Sequence, residues 1–185
     1  MAEALETARP PHELMDLLLD LEERFRTGAR QLPELELSDD RWQGLAFTVA
    51  GVRLVSAMQE LAEMLPYPHM ITRVPGARDW VVGLANVRGT LLPITDLQAF
   101  LGGKAQVPGK GSRVLVLPRS EINAGLLVPG VQGMQQFDRD CRVEARLEGP
   151  VGQYVNEAFK VDDELWPVFG MQALADDPRF LAAGT

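Results

Sequence analysis

Short apolar runs interrupted by glycine and proline are the feature that most constrains the fold of this chain. From residue 42 onward, apolar and polar residues alternate over runs of about 4–8 positions, with turn-forming residues between them. No helical segment long enough for a parallel crossover separates these runs. Together with 17 glycines and 13 prolines, the pattern predicts small β-barrels rather than a doubly wound sheet. No internal repeat of fixed period is visible.

The acidic charge is concentrated at the N-terminus. The 185 residues carry 18 basic and 26 acidic side chains, a net charge of −8, and residues 1–40 hold 11 of the acids but only 4 of the bases. This balance argues against nonspecific nucleic-acid binding and against anionic membranes, since both require a basic face. Residues 1–40 are predicted to form an acidic helical arm and linker, because apolar residues recur at helical spacing at Leu14, Leu18, Leu21 and Phe25. That apolar stripe covers either the body of the same chain or a partner helix.

Composition and motifs also argue against several kinds of site. Cys141 is the single cysteine, so no intrachain disulfide forms, and His12 and His69 lack zinc-site spacing. No phosphate-binding loop, dinucleotide turn or nucleophile elbow is present. No secretory signal or run of about 18 apolar residues appears. We therefore expect a cytoplasmic protein that is not an enzyme and needs no cofactor or metal.

Residues 71–97, ITRVPGARDWVVGLANVRGTLLPITDL, combine two strands with turn-forming and capping residues. Pro75–Gly76 predicts a turn, and Gly83 and Gly89 permit backbone geometries or close approaches that other residues do not. Pro93 indicates a strand edge or bulge, because proline cannot donate to the ladder. Asp96 is a plausible N-cap for a short helix ending at Leu101.

The tip of this segment carries the side chains suited to recognition. Arg88 lies in a predicted tight Arg88–Gly89 turn and presents a planar fork that fits a carboxylate. Asn86 can hydrogen-bond the backbone around the turn. Elsewhere, the sequence predicts a short helix over residues 56–65, a turn at Asp162–Asp163 and a closing helix over residues 171–175.

The segment resembles the signature of the CheW-like domain family. The matching residues are, in order, Val74, Pro75, Gly76, Gly83, Asn86, Arg88, Gly89, Pro93, Asp96 and Leu97. A weaker resemblance extends over about residues 41–175, and it includes Glu63 in the first half and Val128 in the stretch NAGLLVPGVQGM. The resemblance implies a mainly β fold of two packed SH3-like five-stranded barrels, with an added N-terminal helix and a short C-terminal helix. The domains are then residues 1–40 as the arm, 41–177 as the CheW-like domain and 178–185 as a tail.

The resemblance also implies a function and a set of contact residues. Members of this family are adaptors that couple the cytoplasmic tips of methyl-accepting receptors to a CheA-type histidine kinase, binding the CheW-like domain of the kinase. Carried over to this chain, Arg88, Asn86, Glu63 and Val128 become candidate partner-binding residues. Pro75, Gly76, Gly83, Gly89, Pro93 and Asp96 become residues that shape the fold. The alternative role for Arg88 is a charge pair with an acid of its own chain.

Two departures and the N-terminal arm refine the resemblance. Pro129 and Gly170 stand where the family commonly has aspartate, and these departures imply either weaker contacts of the kind typical of flagellar coupling proteins or a transfer of those roles to other residues. The arm and the sequence WQGLAF favour the PilI-type branch, which serves type IV pili and twitching motility. One alternative is a small β-barrel enzyme or ligand-binding module, which would need a pocket that joins groups such as Asp96, Arg88 and Cys141. Another is self-association through barrel contacts.

Overall fold

Strands dominate the part of the chain that the structure, a computed structural model, describes: residues 41–118 and 124–182. The predicted acidic helix and linker of residues 1–40 lie outside these residues. Within them, twelve strands and only a few short helical turns are present. The prediction of a mainly β fold with a short C-terminal helix is confirmed.

Every strand and helix is short. The strands are β1 (Arg41–Val49), β2 (Val52–Ala57), β3 (Glu63–Pro66), β4 (Ile71–Thr72), β5 (Val81–Val87), β6 (Thr90–Asp96), β7 (Arg113–Leu117), β8 (Ala124–Val128), β9 (Gly130–Asp138), β10 (Arg142–Glu144), β11 (Val155–Val161) and β12 (Glu164–Phe169). The α-helices are α1 (Leu97–Phe100), α2 (Met171–Ala175) and α3 (Pro178–Leu181), and single 3-10 turns span Met58–Glu60, Arg139–Cys141 and Gly152–Tyr154.

The strands form two six-stranded sheets with the same topology. Sheet A has the order β10-β11-β12-β2-β1-β9, and sheet B, taken in the matching direction, has the order β4-β5-β6-β8-β7-β3. Each sheet contains one parallel pair, β12 with β2 in sheet A and β6 with β8 in sheet B. The β5–β6 and β11–β12 hairpins each contain a register shift near the start of the first strand. The two sheets are therefore structural copies of each other.

The chain order of the two copies explains why the sequence shows no repeat. Sheet B is continuous along the chain, from β3 to β8, whereas sheet A consists of β9–β12 completed by the N-terminal β1–β2 hairpin. The second copy is thus circularly permuted relative to the first, and a search for one fixed period misses it. Pro93 and Pro167 are one surviving sign of the correspondence, since both lie at the fourth position of equivalent strands.

Three clusters of buried side chains hold the sheets together. One lies within sheet B around Ile94 and Val116, and another lies within sheet A around Phe137 and Phe159. The largest joins residues of both sheets, with Phe47 and Leu54 from sheet A meeting sheet B residues such as Leu115. Each sheet has a core of its own, and the shared cluster fixes one sheet against the other.

The C-terminal helices close one side of this shared core. Phe180 of α3 is buried, with its ring 6.1 Å from that of Trp80 and 5.4 Å from that of Phe100. The Tyr154 hydroxyl donates to the Asp177 carboxylate at 2.5 Å, and Arg179 Nη2 donates to the same carboxylate at 2.7 Å. Burial, with the nearby Asp177 carboxylate, raises the pKa of Tyr154 to about 12. Hydrogen bonding by Arg179 holds the pKa of Asp177 well below its usual range.

Helix α2 receives its N-terminal cap from a distant part of the chain. Gly170 is the N-cap residue and has no side chain to accept from the helix. Glu60 Oε2 instead accepts from the Met171 backbone N–H at 2.8 Å. A carboxylate at this position satisfies an otherwise unpaired donor and is favoured by the helix dipole. Glu60 thus supplies the capping carboxylate that Gly170, at the N-cap position, cannot supply.

Several local expectations differ from the structure. The helix predicted over residues 56–65 is one 3-10 turn followed by β3, because Glu63–Pro66 pairs with β7 and tertiary pairing overrides the helical spacing. Each sheet has six strands rather than five, since the two- and three-residue edge strands β4 and β10 are too short to leave a pattern. The predicted tail from residue 178 begins with α3, which the Asp177 carboxylate caps at the Arg179 N–H.

Candidate partner-binding site

The Arg88–Gly89 turn presents the side chains that the sequence singled out for recognition. Val87 pairs with Thr90, so the loop has two residues, and φ is +51° at Arg88 and +85° at Gly89. Positive φ at both central positions is the mark of a type I′ hairpin, which favours Asn-Gly or Asp-Gly. Asn86 Oδ1 accepts from the Gly89 N–H at 2.9 Å and so fixes the turn. An arginine at the first central position must adopt a left-handed backbone conformation that is unfavourable for it, and the turn itself does not offset this free-energy cost.

Arg88 and Glu63 form an ion pair that remains open to solvent. Arg88 Nη1 lies 3.1 Å from Glu63 Oε2, with 78% of the arginine side chain and 35% of the glutamate side chain exposed. Glu63 begins β3 at one edge of sheet B, whereas Arg88 follows β5 near the other edge. Contact between them shows that sheet B curls until its two sides approach each other, as in a small barrel. The three predicted contact residues Arg88, Asn86 and Glu63 therefore share one region.

Sequence reasoning missed an apolar member of this region. Leu91 pairs directly with Asn86 across the hairpin and is 60% exposed. Its position outside the alternation of buried residues in β6 is the signal that identifies it, since Leu92 and Ile94 supply the core. Arginine is enriched among the residues that dominate protein contacts, and here Leu91 adds an exposed apolar side chain to the same hairpin. We call Glu63, Asn86, Arg88 and Leu91 the hairpin surface.

The structure does not bring Val128 to this surface. Val128 ends β8, has no exposed area and packs in the cluster that joins the two sheets. A side chain without surface cannot touch a partner while the sheets stay together, so its role here is packing. All five residues of β8 are buried, which shows why a contact role assigned from resemblance does not fit this position.

Three residues of the 71–97 segment, Pro75, Gly76 and Gly83, shape the backbone as their types predict. Pro75–Gly76 forms a turn with φ of +76° at Gly76 and a hydrogen bond from the Ala77 N–H to the Val74 carbonyl. This arrangement fits a type II turn. Gly83 has φ of +145° at the β5 bulge, where a Cβ would come 2.4 Å from the Thr72 carbonyl oxygen.

Pro93 and Asp96 define the two halves of β6. Pro93 faces Leu84 of β5, and pairing with β8 begins only at Ile94. The strand is interior rather than at an edge, but its β8 side is unpaired at the proline. Asp96 is buried, and its carboxylate accepts from the Ala99 N–H at 3.1 Å, so it caps α1.

The equivalent hairpin of sheet A has the opposite charge. Asp162 and Asp163 form its turn, again with positive φ at both residues, of +48° and +65°. Asp163 Oδ1 lies 3.7 Å from Lys160 Nζ, and Glu164 Oε2 lies 3.2 Å from Arg53 Nη1. These acids form a solvated turn, in agreement with the expectation from their sequence. The two structural copies thus present one basic and one acidic tip.

The groups considered for an enzyme site do not meet. Asp96 lies at the end of β6 remote from the Arg88 turn, and Cys141 belongs to the cluster within sheet A. Among the described residues, no three metal-ligating side chains of His, Cys, Asp or Glu converge. The same residues contain no helix that is long and apolar enough to span a bilayer.

Comparison with known proteins decides the family. Residues 43–179 match the CheW-like domain. The chain belongs to the CheW-like domain family. Protein PilI of Pseudomonas aeruginosa is 39% identical over 167 residues, covering 89% of this chain and 93% of that protein. Chemotaxis protein CheW of Helicobacter pylori is 28% identical over 114 residues, covering 60% of this chain and 66% of that protein.

The CheW-like fold is also found by structure. The crystal structure of the scaffolding protein TtCheW from Thermoanaerobacter tengcongensis superimposes with a TM-score of 0.61. The superposition covers 69% of this chain and 88% of the TtCheW chain, and the sequence identity is 21%. The expected fold class and the resemblance to the PilI-type branch of CheW-like proteins are confirmed. Pro129, the other departure noted from the sequence, is exposed at the single-residue link between β8 and β9 of the CheW-like domain.

Proposed function

We propose that this CheW-like protein is a non-catalytic cytoplasmic adaptor that joins methyl-accepting receptors to a CheA-type histidine kinase. Membership of the CheW-like family and the similarity to chemotaxis proteins support this role. The similarity to PilI covers 93% of that protein, and it favours an output through type IV pili and twitching motility. The domain assignment that accompanies the proposal is an arm of residues 1–40, a coupling domain of residues 41–177 and a C-terminal segment of residues 178–185.

The position of Arg88 is the observation that carries the proposal. Its backbone is strained, its side chain is mostly exposed, and its ion pair with Glu63 is of the surface kind that contributes about 0–1 kcal/mol to stability. Because Arg88 contributes little to the stability of the fold in return for its unfavourable backbone conformation, we infer that its side chain contacts another molecule. We assign the hairpin surface to partner recognition, with Arg88 as its central residue.

The two barrel tips suggest how an adaptor of this kind works. The hairpin surface is basic at Arg88, and the equivalent tip of sheet A is acidic at Asp162–Asp163. A kinase domain whose contact surface carries the complementary charges would be oriented by these two tips. A receptor held by a second surface of the adaptor then lies at a fixed distance from the kinase. Receptor signals shift the kinase between states through differences in contact energy.

The enzyme alternative has less support than the adaptor. It required a pocket shared by Asp96, Arg88 and Cys141, and these side chains lie in separate parts of the described fold. Ligand binding without catalysis remains an alternative at the cavity considered below.

Reconstitution of a ternary complex tests the proposal. The full chain, a CheA-type kinase and membranes carrying a methyl-accepting receptor, all from the source organism, are mixed and sedimented. We expect the kinase to sediment with the membranes only when the chain is present. In the same assay, Arg146→Glu is the control for Arg88→Asn. Arg146 is an exposed arginine without an ion pair among the described residues, and it lies far from the hairpin in sequence. A kinase whose sedimentation is independent of the chain, for every receptor and kinase of the organism, would overturn the adaptor role.

A further inference from the structure

A cavity of about 450 Å³ opens at the end of β5 and β6 that is remote from the hairpin surface. One wall is the segment before β5, with Arg73, Val74 and Arg78, and the facing wall is formed by residues 105–108. The floor is apolar and includes Ile71 and Leu127. The cavity is thus a groove between two loops of sheet B, and the proposed kinase contact does not use it.

The two loops that form the groove carry an excess of exposed cations on a protein that is acidic overall, although the groove lining itself contains two acids, Asp79 and the buried Asp96, beside Arg73 and Arg78. Arg73 and Arg78 on one wall, and Lys104 and Lys110 on the loop that forms the other, are all exposed. None of the four has an ion pair within residues 41–118 and 124–182. By contrast, six other cations of the described residues each form an ion pair: Arg41, Arg53, Arg88, Arg142, Lys160 and Arg179. Asp79 is the single exposed acid in residues 67–82 and 102–112.

Hydrogen bonds anchor both walls of the groove. The buried carboxylate of Asp96 accepts from the Gln106 N–H at 2.7 Å and from Gln106 Nε2 at 3.1 Å. Gln106 Nε2 also donates to the Leu127 carbonyl, and Gln98 Nε2 donates to the Lys104 carbonyl. On the other wall, the Val81 N–H donates to the Arg78 carbonyl at 2.9 Å. A preformed groove loses little entropy when a ligand orders in it.

We propose that this groove binds an acidic, partly apolar peptide segment of a partner protein. Arg73 and Arg78 in the lining, with Lys104 and Lys110 on the facing loop, attract carboxylates, and the exposed Val74 in the lining and Val107 on the facing loop offer contacts to apolar side chains. A nucleic acid fits less well, because Tyr67 is the single aromatic side chain among the described lining residues and stacking platforms need several. The net charge of −8 also opposes binding to a polyanion as large as a nucleic acid or a membrane.

The probe for this proposal is a fluorescein-labelled peptide of about twelve residues in which glutamate alternates with leucine. Fluorescence anisotropy with the full chain is expected to give saturable binding that weakens as salt rises from about 50 to 300 mM. Arg73→Glu/Arg78→Glu and Lys104→Glu/Lys110→Glu each weaken binding by at least about tenfold. Arg139→Glu/Arg146→Glu changes net charge equally at two exposed arginines elsewhere that form no ion pair with another described residue, and it leaves the affinity within about twofold of wild type. Circular dichroism confirms that the variants fold.

The outcomes distinguish this groove from the hairpin surface and from other ligands. Arg88→Asn is expected to leave peptide binding unchanged, so this proposal and the adaptor proposal fail separately. Amide NMR signals of Ala77, Ala105 and Gln106 are expected to shift when the peptide is added. The proposal is overturned if the Arg139/Arg146 control loses binding as much as the groove variants do, or if a lysine–leucine peptide binds equally well. It is also overturned if no binding is detected at about millimolar peptide. Tighter binding to vesicles of phosphatidylglycerol than to the peptide would also overturn it and assign the groove to a lipid surface.

Discussion

Arg88 Nη1 lies 3.1 Å from Glu63 Oε2, and the two residues approach from opposite sides of a curled sheet. The pair brings together two residues that are 25 positions apart in the sequence. Both side chains keep solvent exposure, so the attraction between them is screened and weak. The ion pair orients the Arg88 guanidinium at the tip of the hairpin, and the other N–H groups of the guanidinium can donate to a carboxylate of another protein.

Arg88→Asn is expected to stabilise the fold by up to about 1 kcal/mol, since asparagine adopts the left-handed conformation of a type I′ turn at a lower free-energy cost than arginine. Loss of the ion pair offsets part of this gain, by about 0–1 kcal/mol. Urea unfolding followed by circular dichroism measures the difference. A loss of several kcal/mol would show that Arg88 supports the fold.

Glu60→Ala is expected to lower the free energy of unfolding by about 0.5–2 kcal/mol, because it removes the acceptor for the Met171 N–H. Gly170→Asp places a carboxylate at the N-cap itself, where a Cβ meets only ordinary contacts at 3.5 Å or more. In the Glu60→Ala background, this second change restores most of the loss. Denaturant unfolding of the two single variants and the double variant checks it, and an additive double variant without rescue would contradict the capping role.

Gly83→Ala is expected to destabilise the protein by about 2 kcal/mol or more, since the new Cβ would meet the Thr72 carbonyl at 2.4 Å in a strained conformation. Gly89→Ala is the matched control, because Gly89 also has positive φ but nothing lies within 4 Å of a Cβ there. It costs only the conformational term of about 1 kcal/mol. Thermal unfolding of both variants measures the difference, and equal losses would exclude the close approach as the cause.

Alkaline pH is expected to destabilise the fold through Tyr154. Its pKa is about 12 in the fold and 10.0 in the unfolded chain, so the neutral hydroxyl favours folding. That contribution is complete below pH 10 and is lost as the pH rises from 10 to 12. Tyr154→Phe removes this part of the pH dependence, roughly 1–2 kcal/mol after allowance for solvent near the hydroxyl.

Unfolding free energies at pH 8, 10 and 11.5 measure this effect, with Tyr67→Phe as the control that removes the other tyrosine hydroxyl. We expect the free energy of unfolding to fall less steeply with rising pH in Tyr154→Phe than in wild type or Tyr67→Phe. Identical pH profiles for wild type and Tyr154→Phe would contradict it.

Local chemistry allowed the sequence to predict the turns and caps. The Arg88–Gly89 turn, the Pro75–Gly76 turn and the cap at Asp96 each depend on residues within a few positions of one another. Glycine, proline and aspartate have strong backbone preferences, which act over these few positions. The predicted hairpin therefore appears where the sequence placed it.

Relations between distant residues were beyond that reasoning. Glu60 caps Met171 across 111 positions, and no local pattern marks it as a cap. Val128 is buried because β8 lies between β6 and β7 and also packs against sheet A, a burial that depends on the whole topology. The pairing of Arg88 with Glu63 needed the curl of sheet B, although resemblance had identified both residues as contact candidates.

The most direct test is the affinity of Arg88→Asn for the regulatory CheW-like domain of the kinase, measured by isothermal titration calorimetry beside wild type and Arg146→Glu. We expect the affinity of Arg88→Asn to fall by about tenfold or more, in a protein at least nearly as stable as wild type, and the affinity of Arg146→Glu to be unchanged. Unchanged affinity of Arg88→Asn for both the kinase domain and the receptor would contradict the assignment of the hairpin surface to recognition.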